Sequence, residues 1–419
     1  MLLVCAIVTE ITPTFASGSI NVTPSANPDK HPDTNPEPNS ALNPDQIAAE
    51  FPQPDELIYL NHAAVAPWPL RSQQAISDFA RQNVERGATD YPDWVALESR
   101  LRDRLANLID AASADDIALQ KSTSEALSVV AWGLPWKAGD NIILCRQEFP
   151  SNRIPWESLQ PLGVEIRYLD LDTCDDPEQG MIDLMDTNTR LLSVSSVQYA
   201  RGLRTDLQRL GSACRERDIL FCVDAIQSLG ALPFSVNECH ADFVMADGHK
   251  WMLGGEGLAL FWVKPELRTE LKIYQYGWHM TREASNFDAP SWHPADSAKR
   301  FECGSPNMLG THVLERSLSL LQQVGMERVS EAILNRSRLL AERIEAADNL
   351  QLLSSTDDQR RSGIVTFKHR NLDGTRLHQQ LMQQQVICAN RGGGVRFSPH
   401  FYTPLEKLER AVALADQCR

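Results

Sequence analysis

The 419-residue chain has no C-x-x-C pair and no cysteine at zinc-ligand spacing from a histidine, although it carries nine cysteines. Their scatter and odd number exclude a regular disulfide framework and a zinc module, and fit reduced thiols. No apolar run approaches the ~18 residues needed to cross a bilayer. There is no G-x-G-x-x-G after a strand and no G-x-x-x-x-G-K-[ST] loop, so the usual nucleotide-binding signatures are missing. Basic charge is short: the formal net charge is −15, which argues against a general nucleic-acid or anionic-membrane binder. Lysine is scarce, nine against 31 arginines, so a lysine in an apolar setting draws notice. No internal repeat is visible.

The chain nonetheless has material for a large core, with 42% hydrophobic residues and 9 Trp. At ~150 residues per domain, the length predicts two or three domains. The run Leu2–Val8 has no Lys or Arg before it, and Thr14-Phe15-Ala16-Ser17 is a poor cleavage site. A disordered extension or an upstream start is therefore expected rather than a secretion signal. Residues 17–45 are rich in Pro, Asn, Asp and Ser and should be disordered, with order beginning near Ile47.

From Ile117 to Val263, seven short apolar runs alternate with helical or loop segments. They are Ile117–Leu119, Asn141–Leu144, Val164–Leu169, Leu191–Val197, Ile219–Asp224, Asp242–Ala246 and Leu258–Val263. Most are solid runs rather than alternating patterns, as expected for strands buried on both faces of a mainly parallel sheet. Leu97, Leu101, Leu105 and Leu108 mark one face of a preceding helix. After Gly310 the pattern changes to helices around Leu314–Leu321 and Ile333–Ile344, strands at Ile364–Phe367 and Val395–Phe397, and a last helix from Leu405 to Ala415. The expected architecture is an α/β large domain over 46–310, to whose neighbour the N-terminal segment contributes, and a small α+β domain over 311–419.

Two segments carry chemistry. Ile219-Leu220-Phe221-Cys222-Val223-Asp224 is a strand ending in a carboxylate, where ligands bind in open α/β sheets; the carboxylate could equally cap the next helix. Asp247-Gly248-His249-Lys250-Trp251 follows a strand and precedes the glycine-rich Gly254-Gly255-Glu256-Gly257. Lys250 reads either as a reactive amine or as a snorkelling surface lysine. Asp224 and Lys250 together suggest pyridoxal 5'-phosphate (PLP), which needs a lysine for its Schiff base and an acid for its pyridine nitrogen.

Asp224-Ala225-Ile226-Gln227, followed by Gly248-His249-Lys250-Trp251, resembles the class V aminotransferase group of fold-type I PLP enzymes. That group includes cysteine desulfurases, selenocysteine lyases and isopenicillin-N-epimerase-like proteins. The resemblance covers roughly residues 57–415 and rests on further motifs in the same order. These are Tyr59-Leu60-Asn61-His62-Ala63-Ala64, Lys121-Ser122-Thr123-Ser124-Glu125-Ala126, Glu148-Phe149-Pro150-Ser151-Asn152, Arg300-Phe301-Glu302-Cys303-Gly304-Ser305-Pro306-Asn307 and Asn390-Arg391-Gly392-Gly393-Gly394-Val395-Arg396.

The resemblance implies site roles. Lys250 forms the Schiff base and is the catalytic residue. Asp224 pairs with the pyridine nitrogen, and Gln227 with the ring hydroxyl. Thr123, Ser124 and His249 contact the phosphate, and Phe149 stacks on the ring. Arg396 grips the substrate carboxylate, with Arg391 a second choice. Plainer readings stand beside these: Ser122 and Glu125 as an ordinary capping box, Phe149 as a core residue, and Arg300 with Glu302 as a structural ion pair. Asp247 stands where desulfurases often have a phosphate-binding serine, and cannot simply replace it. The resemblance further implies a homodimer and an amino-acid substrate, and Tyr276-Gly277-Trp278-His279 could reach a partner's site; composition adds the expectation of a cytoplasmic protein with no metal, nucleic-acid or membrane partner.

One departure bears on the reaction. Group II desulfurases carry an Arg-x-Gly-His-His-Cys loop; here Arg391 runs straight into three glycines. Cys388 reads as a buried strand residue, and such a thiol is a poor nucleophile. The expected function is thus a carbon–sulfur or carbon–selenium lyase without a catalytic cysteine loop. A class V aminotransferase or an amino-acid epimerase is the alternative, and a non-catalytic scaffold on the same fold a further one.

Overall fold

A computed structural model describes residues 42–419; the expectation of disorder before residue 42 lies outside the described residues. A short helix, Pro44–Ala49, already begins before Ile47, started by a reciprocal capping box of Asn43 and Gln46. The strands are β1 (Ile58–Tyr59), β2 (Ile117–Gln120), β3 (Asn141–Cys145), β4 (Glu165–Leu169), β5 (Thr189–Ser195), β6 (Leu220–Asp224), β7 (Phe243–Asp247), β8 (Ala259–Val263), β9 (Leu350–Leu352), β10 (Val365–His369), β11 (Val386–Ile387), β12 (Ala389–Arg391) and β13 (Gly394–Phe397).

The seven apolar runs form one sheet in the order β2-β8-β7-β6-β5-β3-β4. It is parallel except for β8, which runs against both β7 and β2. Solid runs arise because each strand feeds two cores. Phe221, Val223, Val244 and Ala246 pack on one face, while Cys222, Phe243 and Met245 pack on the other. The reversal of β8 follows from its link to β7, which contains no crossover helix and returns the chain directly alongside.

A second, antiparallel sheet has the order β12-β13-β10-β9. Beside it β1 pairs in parallel with β11, and Ile58 and Leu60 share a core with Leu340, Phe367 and Phe397. The N-terminal segment thus packs with the C-terminal elements. β12 and β13 are joined by Gly392 and Gly393, with φ of +65° and +86°. Two positive φ values in a two-residue hairpin loop are the demand of a type I′ turn, which explains the glycine pair. The third glycine, Gly394, lies against the Phe367 carbonyl, where a Cβ would come within 2.1 Å.

Glu302 accepts two hydrogen bonds from Arg102, at 2.6 and 2.8 Å, and one from the Leu119 N–H at 2.7 Å. Its ion-pair partner is therefore Arg102 rather than Arg300, whose Nε is buried without a partner.

Candidate active site

The carboxyl ends of β2, β5, β6 and β7 open on one cavity of about 240 Å³. Its lining brings together all the residues singled out above for cofactor and substrate: Thr123, Ser124, Phe149, Asp224, Gln227, His249, Lys250, Arg391 and Arg396.

Asp224 is the last residue of β6 and only 2% exposed. One oxygen accepts the Ile226 N–H at 3.0 Å, a local turn that fixes the carboxyl. Burial pushes the group up to about 6, against the Ile226 hydrogen bond and the Lys250 charge. Lys250 sits just beyond β7 and is 9% exposed, so it is not a snorkelling surface residue. Burial brings its amine down to about 8, partly offset by Asp224. Its Nζ stands 5.6 Å over the centroid of the Phe149 ring. Phe149 is 39% exposed on the cavity side rather than a core residue.

Ser122 caps the helix Thr123–Gly133 by accepting the Glu125 N–H at 3.2 Å. Glu125 reaches back one residue further than a capping box, to the Lys121 N–H. The helix begins at the cavity wall, where free N–H groups and the Thr123 and Ser124 hydroxyls suit an anion. Thr123 Oγ1 also accepts the Asp247 N–H at 3.0 Å, locking helix to strand. Asp247 Oδ1 lies 2.8 Å from His249 Nδ1. Gln227 is fixed at both ends of its amide: Nε2 donates to the Ala63 carbonyl at 3.0 Å and Oε1 accepts from Trp251 Nε1 at 2.8 Å.

Arg396, on β13, is 2% exposed and donates to the Tyr199 carbonyl at 2.7 Å. Its Nε is buried without a partner. Burial and neighbouring Arg391 pull it down to about 10, which leaves it charged at neutral pH. Arg391 is exposed on the glycine hairpin.

Further lining residues carry no motif of their own in the sequence, Ser195 and Tyr199, while Glu256 comes from the glycine-rich segment. Ser195 lies inside the apolar run Leu191–Val197 in the sequence, and in the structure it ends β5. Behind it lies Glu148, buried, with one oxygen on the Ser195 N–H at 2.8 Å and the other on its hydroxyl at 2.5 Å. Burial pushes Glu148 up to about 7, with the Asp224 charge adding to the effect and Ser195 opposing it. His62 is buried away from the cavity, between the Ser398 carbonyl and the Tyr402 hydroxyl. Cys388 is buried among the C-terminal elements and its thiol is pushed up to about 12 by burial. Among the described residues, no cysteine lines the cavity. Nor is any described helix long and apolar enough to cross a membrane.

A buried lysine facing a buried aspartate at the strand ends of a mainly parallel sheet, with a small antiparallel sheet alongside, is the architecture of a fold-type I PLP enzyme. The aminotransferase class-V family model matches residues 58–410. The chain belongs to that family, and is a PLP-dependent enzyme. A probable cysteine desulfurase of Methanothermobacter thermautotrophicus is 26% identical over 390 residues, covering 88% of this chain and 96% of the relative. The solved cysteine desulfurase of Thermococcus onnurineus superposes with a TM-score of 0.79 at 22% identity, covering 90% and 98% of the two chains. The cystine C–S lyase C-DES, solved with its product cysteine persulfide, gives 0.81 at 22% identity, covering 87% and 98%.

The residues present fit the cofactor. Asp224 keeps one oxygen free for a ring nitrogen, Lys250 offers a partly neutral amine, and the Thr123 helix end offers N–H donors. Gln227 has one N–H left over after its two contacts.

Proposed function

We propose that this enzyme is a carbon–sulfur or carbon–selenium lyase acting on an amino acid, without a cysteine nucleophile of its own. The observation that carries the reading is the convergence of Lys250, Asp224 and Arg396 on a cavity that no described cysteine reaches. Elimination from the β-carbon needs no protein thiol, whereas transfer of the substrate sulfur to an enzyme-bound persulfide does. The names of the relatives, cysteine desulfurase and cystine C–S lyase, agree with a sulfur-bearing substrate.

PLP, when bound, supplies an electron sink for negative charge at the substrate α-carbon. Lys250 would hold it covalently, Asp224 its pyridine nitrogen, Phe149 its ring face, and Thr123, Ser124 and His249 its phosphate. Arg396 receives the substrate carboxylate; its planar fork, with Nε unpartnered, offers two parallel N–H donors. Lys250 is also the group placed to take the α-proton of the substrate. An amine lowered to about 8 is partly neutral at pH 7–8 and so can accept it. Phe149 covers the lysine side and limits water access. The reading includes a cytoplasmic homodimer.

The test is a visible spectrum of the purified protein, with and without borohydride, and product assays with cysteine and selenocysteine. A yellow, reducible band that disappears in Lys250→Ala, with release of sulfide or selenide together with pyruvate and ammonia, is expected. Amine transfer to a keto acid without sulfide release would instead make it an aminotransferase.

A further inference from the structure

A second cavity, of about 450 Å³, lies beside the site. Tyr199 lines both cavities, and the hairpin contributes Arg391 to one and the adjoining Gly392 to the other. Tyr199 also marks the substrate's position. Its carbonyl holds Arg396, and its ring meets the Phe149 ring edge-on with centroids 5.2 Å apart. An amino acid held by Arg396 over Phe149 therefore has Tyr199 at its flank and the second cavity beyond it.

We propose that this second cavity receives a long, neutral substituent on the substrate side chain, so that the preferred substrates are S-substituted cysteines rather than cysteine itself. The proposal rests on the lyase reading above and names its substrate class. The polar groups of the cavity point to a neutral occupant because they already satisfy one another. Gln198 accepts the Ala200 and Arg201 N–H groups, both at 2.8 Å, and donates to the Gln147 carbonyl at 3.0 Å. Ser354 donates to the Arg201 carbonyl at 2.6 Å and accepts the Thr366 N–H at 2.8 Å. The single cation and single anion, Arg201 and Asp172, pair at 2.7 Å. What remains for a ligand is the surface of Leu171, Leu203, Leu353 and Tyr199. Cysteine, with only a thiol, would leave this space unused.

The chemistry balances without a further reactant except water. Lys250 removes the α-proton, and the Cβ–S bond breaks with its electron pair passing to sulfur. The thiolate leaves and takes up a proton, and the three-carbon fragment is released as 2-aminoacrylate. One water then converts it to pyruvate and ammonia.

The holoenzyme should be titrated with S-methyl-, S-benzyl- and S-carboxymethyl-L-cysteine, following the cofactor band for Kd and pyruvate for kcat/KM. S-benzyl-L-cysteine is expected to bind at least about tenfold more tightly than the S-methyl compound, since a filled apolar pocket discriminates at this level even for small groups. The S-carboxymethyl compound should show no such gain. Ser355, half-buried in the wall of the second cavity, allows an independent check. Ser355→Trp fills the space and should bring the benzyl-to-methyl affinity ratio close to one. A wild-type ratio at or below one, with S-methyl-L-cysteine still perturbing the band, would overturn the subsite and leave the lyase reading intact. A ratio unchanged by Ser355→Trp would also overturn it. If none of the three compounds perturbs the band of a yellow protein that releases sulfide from cysteine, the subsite alone fails; if cysteine and selenocysteine also give no product, the lyase reading fails with it.

Discussion

Replacing Glu148 with glutamine should change how the stability of the cofactor-free protein depends on pH. Glu148 is buried with both oxygens on Ser195, and its carboxyl is raised from an ordinary 4.5 to about 7. The folded state thus holds this proton more tightly than the unfolded chain. Between those two values the unfolded chain binds fewer protons, so stability falls as pH rises. At about 1.4 kcal/mol per pKa unit, ionising Glu148 costs the fold about 3.5 kcal/mol in all, of which about 2.5 kcal/mol falls between pH 5 and pH 8. Glutamine does not titrate. It also loses one acceptor, leaving either the Ser195 N–H or its hydroxyl without the present bond, at a pH-independent cost of about 1–2 kcal/mol. The informative quantity is therefore the slope of the difference with pH rather than its sign. At roughly 2 cal/mol/K of unfolding entropy per residue, a chain of this size shifts Tm by about 1 °C per kcal/mol. The Tm of Glu148→Gln minus that of wild type should rise by about 3 °C from pH 5 to pH 8. Circular dichroism melts in matched buffers at five pH values measure it. The Asp224 titration is present in both proteins and cancels to first order. Parallel Tm–pH curves would refute the raised carboxyl and, with it, the view that burial dominates this part of the site.

Arg396→Leu removes the group assigned to the substrate carboxylate. Loss of a buried charge-assisted pair, about 2–5 kcal/mol, should raise KM or the ligand Kd by about 30-fold or more while the cofactor band remains. Arg360→Ala strands Glu178, which is 1% exposed and held by two bonds of 2.6 Å from the guanidinium. Leaving that carboxylate unpaired should cost about 3 kcal/mol and lower Tm by a few degrees, measured by calorimetry. Cys388→Ala should keep turnover within about twofold, because a buried thiol raised to about 12 is not a nucleophile at neutral pH. A loss of sulfur release beyond tenfold would restore a persulfide route.

The large sheet was legible because burial on two faces forces runs of apolar residues, as in Asn141–Cys145, where every residue is buried. The reversal of β8 was not, since a doubly buried strand reads the same in either direction. β9, β11 and β12 have two or three residues each, too few for a period. The helix Leu70–Arg86 escaped for a related reason: it buries only Ser72 and Phe79, so its apolar stripe is thin. The helix Gly374–Gln383 likewise buries only Leu377 and Leu381. The ion pair of Glu302 shows the limit of local reading. Arg300 was the near cation in the chain, but Arg102 reaches Glu302 from a helix 200 residues earlier.

The reactive residues of the site were legible for a different reason. Each stands where a strand gives way to a turn, and such positions announce themselves in sequence as a polar residue ending an apolar run. What no run announces is the charge balance that sets their behaviour. Asp224 and Lys250 follow neighbouring strands, so their meeting could be anticipated. Glu148 follows β3, whose neighbours are β4 and β5, not β6. It comes under the influence of Asp224 only because its side chain reaches across to Ser195 at the end of β5, and Ser195 is in register with Asp224 on β6. Two carboxyl groups, Glu148 and Asp224, are thus raised by burial, and the amine of Lys250 is lowered by it. Each of these shifts favours the neutral form of its group, and each depends on strand order rather than on distance along the chain. A site whose acid and base are both drawn toward neutrality near pH 7 is suited to moving a proton at a carbon next to a carboxylate, provided one fixed charge remains to hold that carboxylate. Arg396, still charged after burial, fills that role, and it is the one member of the group that the small sheet supplies.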